Sequence, residues 1–201
     1  NITSIQEWFI TQSIIEGFQR NEFNGVEITY NEFMKKCSVP YLKDTLQKYY
    51  TAIKKLRPGN PAPVFSLTDE KGKSVSLNDL KGKVVYIDFW GVYCVNCIDE
   101  IENYVSKLHE KYKNKNVAFV NICVDSKESI WKPALKKYQL KGINLIAEGW
   151  TNNPTCKEYN VNGIPHYVLI DENGIIVGNN APRPSMLILN SGENAIDLLL
   201  K

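Results

Sequence analysis

YIDFWGVYCVNCIDE, residues 86–100, carries two of the chain's five cysteines, Cys94 and Cys97, separated by two residues. Before them KVVYIDFW (83–90) is a nearly unbroken apolar run, the pattern of a strand buried on both faces. After them, Ile98, Ile101, Val105, Leu108 and Tyr112 fall on one stripe of a helix. The cysteines therefore stand where a buried strand hands over to an amphipathic helix. Such a pair can be half of a metal site, a structural bridge or a redox dithiol. Zinc needs four ligands, yet Cys37, Cys123 and Cys156 stand alone and His109 and His166 are far apart in sequence. A structural bridge closing so short a loop removes little unfolded-state entropy. The redox reading fits best, because a helix N-terminus offers N–H groups and a positive partial charge that stabilise a thiolate. In this reading Cys94 lies on an exposed lip and Cys97 about one turn inside.

Two acids sharpen that reading. Asp88 stands in the middle of the apolar strand, six residues before Cys94. A buried, unpaired carboxylate is costly, so it stays protonated or has a task. A raised-pKa acid beneath the inner thiol can take up and return the proton of thiol exchange. The alternative is an Asp at a strand edge bonded to lysine or backbone. Glu100, three residues after Cys97, shares its helical face. It is either a second proton relay or an acid stabilising the helix start.

Working outward, residues 1–57 read as helical. Ser4 and Glu7 have capping-box spacing, and Ile5, Trp8, Phe9, Ile15 and Phe18 recur at helical intervals. NEFMKKC (31–37) predicts a short helix. Pro40 then opens a helix whose Leu42, Leu46, Tyr49, Ile53 and Leu56 form a stripe that needs a partner surface. RPGNPAP (57–63) forbids helix and sets the boundary to a second domain, 58–201. There a hairpin turns at Lys71-Gly72. VAFVNICVD is a second buried strand, and KESIWKPALKKYQL a helix with Pro133 expected in its first turn. INLIA is a short strand, and NPTCKEYNV a short helix or loop. HYVLIDENGIIVGNN forms another hairpin, and a closing helix weakened by Gly192 follows from Pro184. Strands alternating with helices, then a hairpin and a helix, give an α/β domain around a mixed sheet.

Length and charge narrow the classes further. At 201 residues the chain holds one good-sized domain, or a domain with a smaller attachment. A net charge of +2 advertises neither nucleic acid nor an anionic membrane, and KYKNKN (111–116) reads as a solvated helix end. No apolar run approaches the roughly 20 residues of a membrane helix. No signal peptide is legible, and the abrupt helical start points to a removed leader or upstream region, the one place a membrane anchor could sit. The Asn1-Ile2-Thr3 glycosylation pattern, at a terminus, is given no weight. An odd cysteine count leaves at least one thiol free or paired with another chain. Cys123, within a buried strand, reads as an inert small hydrophobe. Cys37 and Cys156 read as free thiols or parts of an extra bridge.

DFWGVYCVNC resembles the thioredoxin active-site strand and turn. GNPAPVFSLTDEKGKSVSLNDLKGKVVYIDFW and NVNGIPHYVLIDENGIIV resemble the opening and later segments of the TlpA/ResA-like branch, and APRPS (181–185) a stretch common in Bacteroidetes-type members, which tend to be exported and carry N-terminal additions. The resemblance covers about residues 58–201. It implies a thioredoxin-like fold, a mixed sheet flanked by helices with an N-terminal β-hairpin, preceded here by a helical region. It further implies Cys94 as attacking thiol, Cys97 as resolving thiol, and Asp88 and Glu100 as the acids. Pro165 would be a cis proline, the Ile164 backbone would pair with extended substrate, and Trp90 and Tyr93 would frame the docking surface, Trp90 alternatively being a partly buried anchor. His166 lines that groove or is a plain strand residue.

The implied activity is thiol-disulfide exchange on partner proteins such as apocytochromes, in the bacterial periplasm. It needs a separate electron-donor protein and no cofactor. There are departures: Val95-Asn96 replaces Gly-Pro between the cysteines, and Glu102 stands where a kinking proline is common, predicting a straighter helix. The peroxiredoxin branch shares the APxF opening but needs a peroxidatic-cysteine setting absent here. A second reading keeps the fold only as a scaffold for binding or assembly, with the Leu42/Leu46/Tyr49/Ile53/Leu56 stripe as recognition surface.

Overall fold

A computed structural model describes residues 2–201; Asn1, and with it the glycosylation pattern, lies outside the described residues. Seven strands form one mixed sheet: β1 (Ser66–Asp69), β2 (Ser74–Ser76), β3 (Val84–Trp90), β4 (Val117–Cys123), β5 (Ile143–Ile146), β6 (His166–Ile170) and β7 (Ile176–Gly178). They lie in the order β2-β1-β5-β4-β3-β6-β7. β3 runs parallel to β4 and antiparallel to β6, and every one of its residues is buried. A strand so enclosed can be apolar throughout, which is why KVVYIDFW lacks the alternation of a half-exposed strand.

The pleat sorts β3 onto two faces. Val85, Ile87 and Phe89 join Val120, Ile122, Val168 and Tyr159 in one core. Val84 and Tyr86 face the opposite side, with Leu108, Tyr112, Leu187 and Ile196. Trp90, four residues beyond Tyr86, packs there with Cys97, Ile101 and Trp131. Asp88 therefore points to the face that carries the cysteine helix.

That helix runs from α4 (Val95–Glu100) through a π-helical turn (Ile101–Val105) into α5 (Ser106–Lys111). The straighter helix expected from Glu102 is thus corrected, since the irregularity arises without a proline. A widened turn re-phases the helix, so that Glu100 and Ile101 are both buried along with Val105 and Leu108. α6 (Glu128–Tyr138) starts within the expected stretch, with the Glu148 carboxylate accepting the Glu128 N–H. Pro133 consequently sits inside the helix rather than in its first turn. The closing helix is split into α8 (Pro184–Leu189) and α9 (Ala195–Leu199). Between them Gly192 adopts φ +105°, a conformation that suits glycine and stops a helix. α7 (Pro154–Glu158) covers the first face.

The region before the sheet is α1 (Ile2–Gln19), α2 (Phe23–Lys36) and α3 (Pro40–Ile53), packed around Ile14, Phe18, Phe23, Tyr30, Phe33, Leu46 and Ile53. Three sequence expectations are corrected here. α1 is already running before Ser4, so Ser4 and Glu7 do not cap it. Glu7 instead crosses to the start of α3 and accepts the N–H groups of Ser38 (2.7 Å) and Val39 (3.2 Å). α2 begins eight residues ahead of NEFMKKC, because Phe23 and Tyr30 anchor it in the core despite Gly25. On α1, burial falls on Thr11, Ile14 and Phe18, leaving Ile5, Trp8 and Phe9 exposed. Of the expected stripe, Leu42, Leu46, Ile53 and Leu56 are buried and Tyr49 is half-buried, so its partner surface is supplied within the chain.

Candidate active site

Cys94 and Cys97 are joined by a disulfide across 5.2 Å between Cα atoms. Cys94 is the N-cap of α4, and its sulfur accepts the Cys97 N–H at 3.1 Å. Cys94 is half-buried at the surface and Cys97 buried. The outer sulfur thus has an N–H donor and the positive end of the helix beside it, the setting that favours thiolate over thiol.

Asp88 is 4% exposed, and its Oδ1 has no hydrogen-bond partner. Burial, with the nearby charge of Glu100 adding, pushes its pKa up to about 8. Asp88 pairs between Asn121 and Tyr167 in the sheet interior, so the strand-edge alternative does not apply. Glu100, also buried, is gripped by the start of α8. Ser185 donates to it through its N–H at 2.8 Å and its hydroxyl at 2.7 Å, and the Arg183 guanidinium lies 3.6 Å away. The two acids therefore differ: Asp88 is left without a compensating cation, whereas Glu100 has one.

Trp90 requires a correction. It is 0% exposed, enclosed by Cys97, Ile101 and Trp131, and offers no surface to a partner. Its aromatic ring fills the core beneath the cysteines instead. Tyr93, at 69% exposed, and Val95 stand open beside Cys94. The Ile164–Pro165 peptide is cis, and the Ile164 side chain packs in the same cluster as Cys94. His166 follows at the start of β6 with its ring near Phe89, and burial lowers its pKa to about 4.

Sequence reading missed four residues. Asp125, just past the end of β4, accepts the N–H groups of Val92 (2.9 Å) and Tyr93 (3.0 Å) and so holds the loop that presents Cys94. The available signal was its place at the carboxyl end of a strand adjacent to β3, where α/β sheets build their sites. Gly91 lets that loop close: a Cβ there would overlap the Asp125 carboxylate and the Ile164 side chain. Arg183 and Ser185 lay within APRPS but carried no sequence sign that they meet Glu100. Gly91→Ala is accordingly expected to cost about 1–3 kcal/mol of stability, the range for overpacking. Urea unfolding and the rate of Cys94 alkylation check this; unchanged values in both would deny the close approach a role.

The remaining cysteines are free. Burial, helped by the charge of Asp125, pushes Cys123 up to about 12, and burial pushes Cys156 up to about 11. Both are chemically quiet near neutrality. Cys37 is raised as well, by burial and by Glu7, to which its thiol donates. Among the described residues no group of three His, Cys, Asp or Glu side chains could hold a metal ion.

The Redoxin family model matches residues 57–186. A thiol-disulfide oxidoreductase ResA from Bacillus thuringiensis subsp. konkukian is 36% identical over 131 residues, 65% of this chain and 73% of the relative. Among solved structures, a candidate thiol-disulfide oxidoreductase from Bacteroides vulgatus is 33% identical. It superposes with a TM-score of 0.62 over 73% of this chain and 99% of that one. A thiol:disulfide interchange protein from a Bacteroides species is 29% identical, with a TM-score of 0.59 over 69% and 95%.

Proposed function

Because the chain belongs to the redoxin family and is a thiol-disulfide oxidoreductase of thioredoxin-like fold, we propose the following division of labour among its residues, in the direction of disulfide reduction. The Cys94 thiolate attacks one sulfur of a partner's disulfide. That S–S bond breaks, its leaving sulfur takes up a proton, and a mixed disulfide forms. Cys97 then gives its proton to Asp88 or Glu100, and its thiolate attacks the Cys94 sulfur. The Cys94–Cys97 bond forms as the partner's second thiol leaves. Two electrons have passed from the dithiol to the partner, and a separate donor protein must return them.

The observation that carries this reading is the outer sulfur at a helix N-terminus, on the sheet face to which a buried acid also points, an acid whose pKa lies close to that of a thiol. An acid so matched passes the proton both ways at little cost. Ile164 and Pro165 would present backbone to an extended substrate, with Tyr93 at the rim.

Partners are proteins bearing thiols or disulfides, apocytochromes being the proposed instance. The proposed compartment is extracytoplasmic; no described helix is long and apolar enough to cross a membrane. The separate core of α1–α3 supports a domain division near residue 57. Insulin reduction by dithiothreitol tests the activity: the wild type is expected to accelerate it, and Cys94→Ser to match the uncatalysed rate. Equal acceleration by both would remove Cys94 from the chemistry.

A further inference from the structure

A cleft of about 380 Å³ opens between the N-terminal helices and the redox domain, and residues 163–166 form part of its wall. Its helical side carries the aromatic rings of Phe18, Phe23 and Tyr49, with Gln19 and Asn21 beside them. Its other side carries carboxamides, Asn160, Asn162 and Asn179 among them, and none of its lining side chains is Asp, Glu, Lys or Arg. The one titratable imidazole, His166, is held neutral by burial. One hydrogen bond fastens the walls together: Asn180 donates to the Gln19 carbonyl at 2.9 Å.

Ile164 belongs both to this cleft and to the side-chain cluster that holds Cys94. A polypeptide laid along Ile164 with its cysteine at Cys94 therefore enters the cleft within two or three residues, about 7–10 Å of extended chain. Carboxamides donate and accept, as a peptide backbone does, and an uncharged aromatic floor accommodates an apolar side chain. A charged side chain would lose water there without finding a counter-charge.

We propose that this cleft is a specificity subsite, in which α1 and α3 help bind the partner segment beside its reactive cysteine, and that it selects an uncharged extended segment carrying an aromatic or aliphatic residue. The proposal rests on the assignment of Cys94 and Ile164–Pro165 to the reaction. Its consequence is a role for the N-terminal helices in choosing the substrate, with the chemistry left to the sheet domain.

The test uses the full chain and three oxidised probes: the small disulfide DTNB, and two synthetic disulfide peptides. The peptides differ only beside one cysteine, Phe-Ser-Asn in one and Glu-Glu-Asp in the other. The wild type is expected to favour the neutral peptide by about tenfold or more in kcat/KM, the scale on which one pocket discriminates. Two substitutions fill the cleft from opposite walls. One is Gln19→Trp on α1; the other is Gly163→Leu, where a Cβ meets nothing within 4 Å. Each is expected to lower the neutral-peptide to DTNB ratio of kcat/KM by about tenfold, mainly through KM. A wild type that treats the two peptides alike within twofold would overturn the subsite, as would two folded variants that keep the wild-type ratio. A wild type inert to DTNB and to both peptides would instead overturn the underlying assignment of Cys94, and the subsite with it.

Discussion

Cys97→Ser is expected to stop turnover and leave the partner protein covalently attached through Cys94. Cys94, at the lip of the site, keeps its helix N-terminus and its Cys97-position N–H donor, so the first attack survives the substitution. What disappears is the second thiol, buried and one turn along the same helix. A resolving group fixed in place acts at effective molarities of about 10⁵ M or more, and millimolar thiol in solution cannot replace it. Turnover is expected to fall by at least about 10³-fold on that ground. The mixed disulfide should appear on non-reducing gels and by mass spectrometry, and vanish when Cys94→Ser is added. Attachment through Cys123 or Cys156 would contradict the division of roles, since burial keeps both as thiols.

Asp88→Asn should do two opposite things at once. In the folded protein Asp88 holds its proton up to about pH 8, whereas its ordinary value is 3.8. Between those values the unfolded chain has released a proton that the folded chain retains. Stability therefore falls as pH rises through this window, and the cost is fully present above about pH 8. At pH 7 it amounts to about 4 kcal/mol. Asparagine has nearly the same shape and nothing to ionise, so the oxidised variant should be more stable than wild type by up to about 4 kcal/mol at pH 7. The advantage should fade toward pH 4. Release of partner from Cys94 should meanwhile slow by about 10²-fold or more, the usual effect of losing a positioned proton acceptor. Urea unfolding at pH 4 and 7, with stopped-flow measurement of the release step, reads both effects. Faster release, or a stability difference independent of pH, would contradict the assignment.

The fold was legible wherever local pattern and tertiary environment agree. KVVYIDFW reads as a doubly buried strand because nothing in it alternates, and the structure puts it between β4 and β6. The turn at residues 171–174 was legible because Asp171 and Gly174 carry turn chemistry of their own. In the structure the Asp171 carboxylate accepts the N–H groups of Asn173 and Ile175. Where the reading failed, a distant partner decided the outcome. Glu7 has the spacing of a local cap but finds its donors at Ser38 and Val39. Trp90 stands next to the cysteine loop in sequence, yet strand pairing turns it into the core.

The candidate site divides along the same line. Cys94, Cys97, Asp88 and Glu100 lie within thirteen residues of one another, and strand and helix geometry relates them directly. Asp125, Arg183 and Ser185 reach the site only through folding, across sequence separations that no periodicity encodes. Gly91 is a separate case: the need for a glycine there shows only once Asp125 and Ile164 close in on it.

Redox titration of the wild-type chain, in glutathione and dithiothreitol buffers spanning roughly −120 to −300 mV, tests the central assignment most directly. Thiols should be counted at each point by alkylation and peptide mapping. The expected result is one reversible transition in which Cys94 and Cys97 change together, with the two-electron slope of about 30 mV per tenfold change in ratio. Cys37, Cys123 and Cys156 should stay reduced throughout. No transition across that range, or one that recruits another cysteine in place of either member, would contradict it.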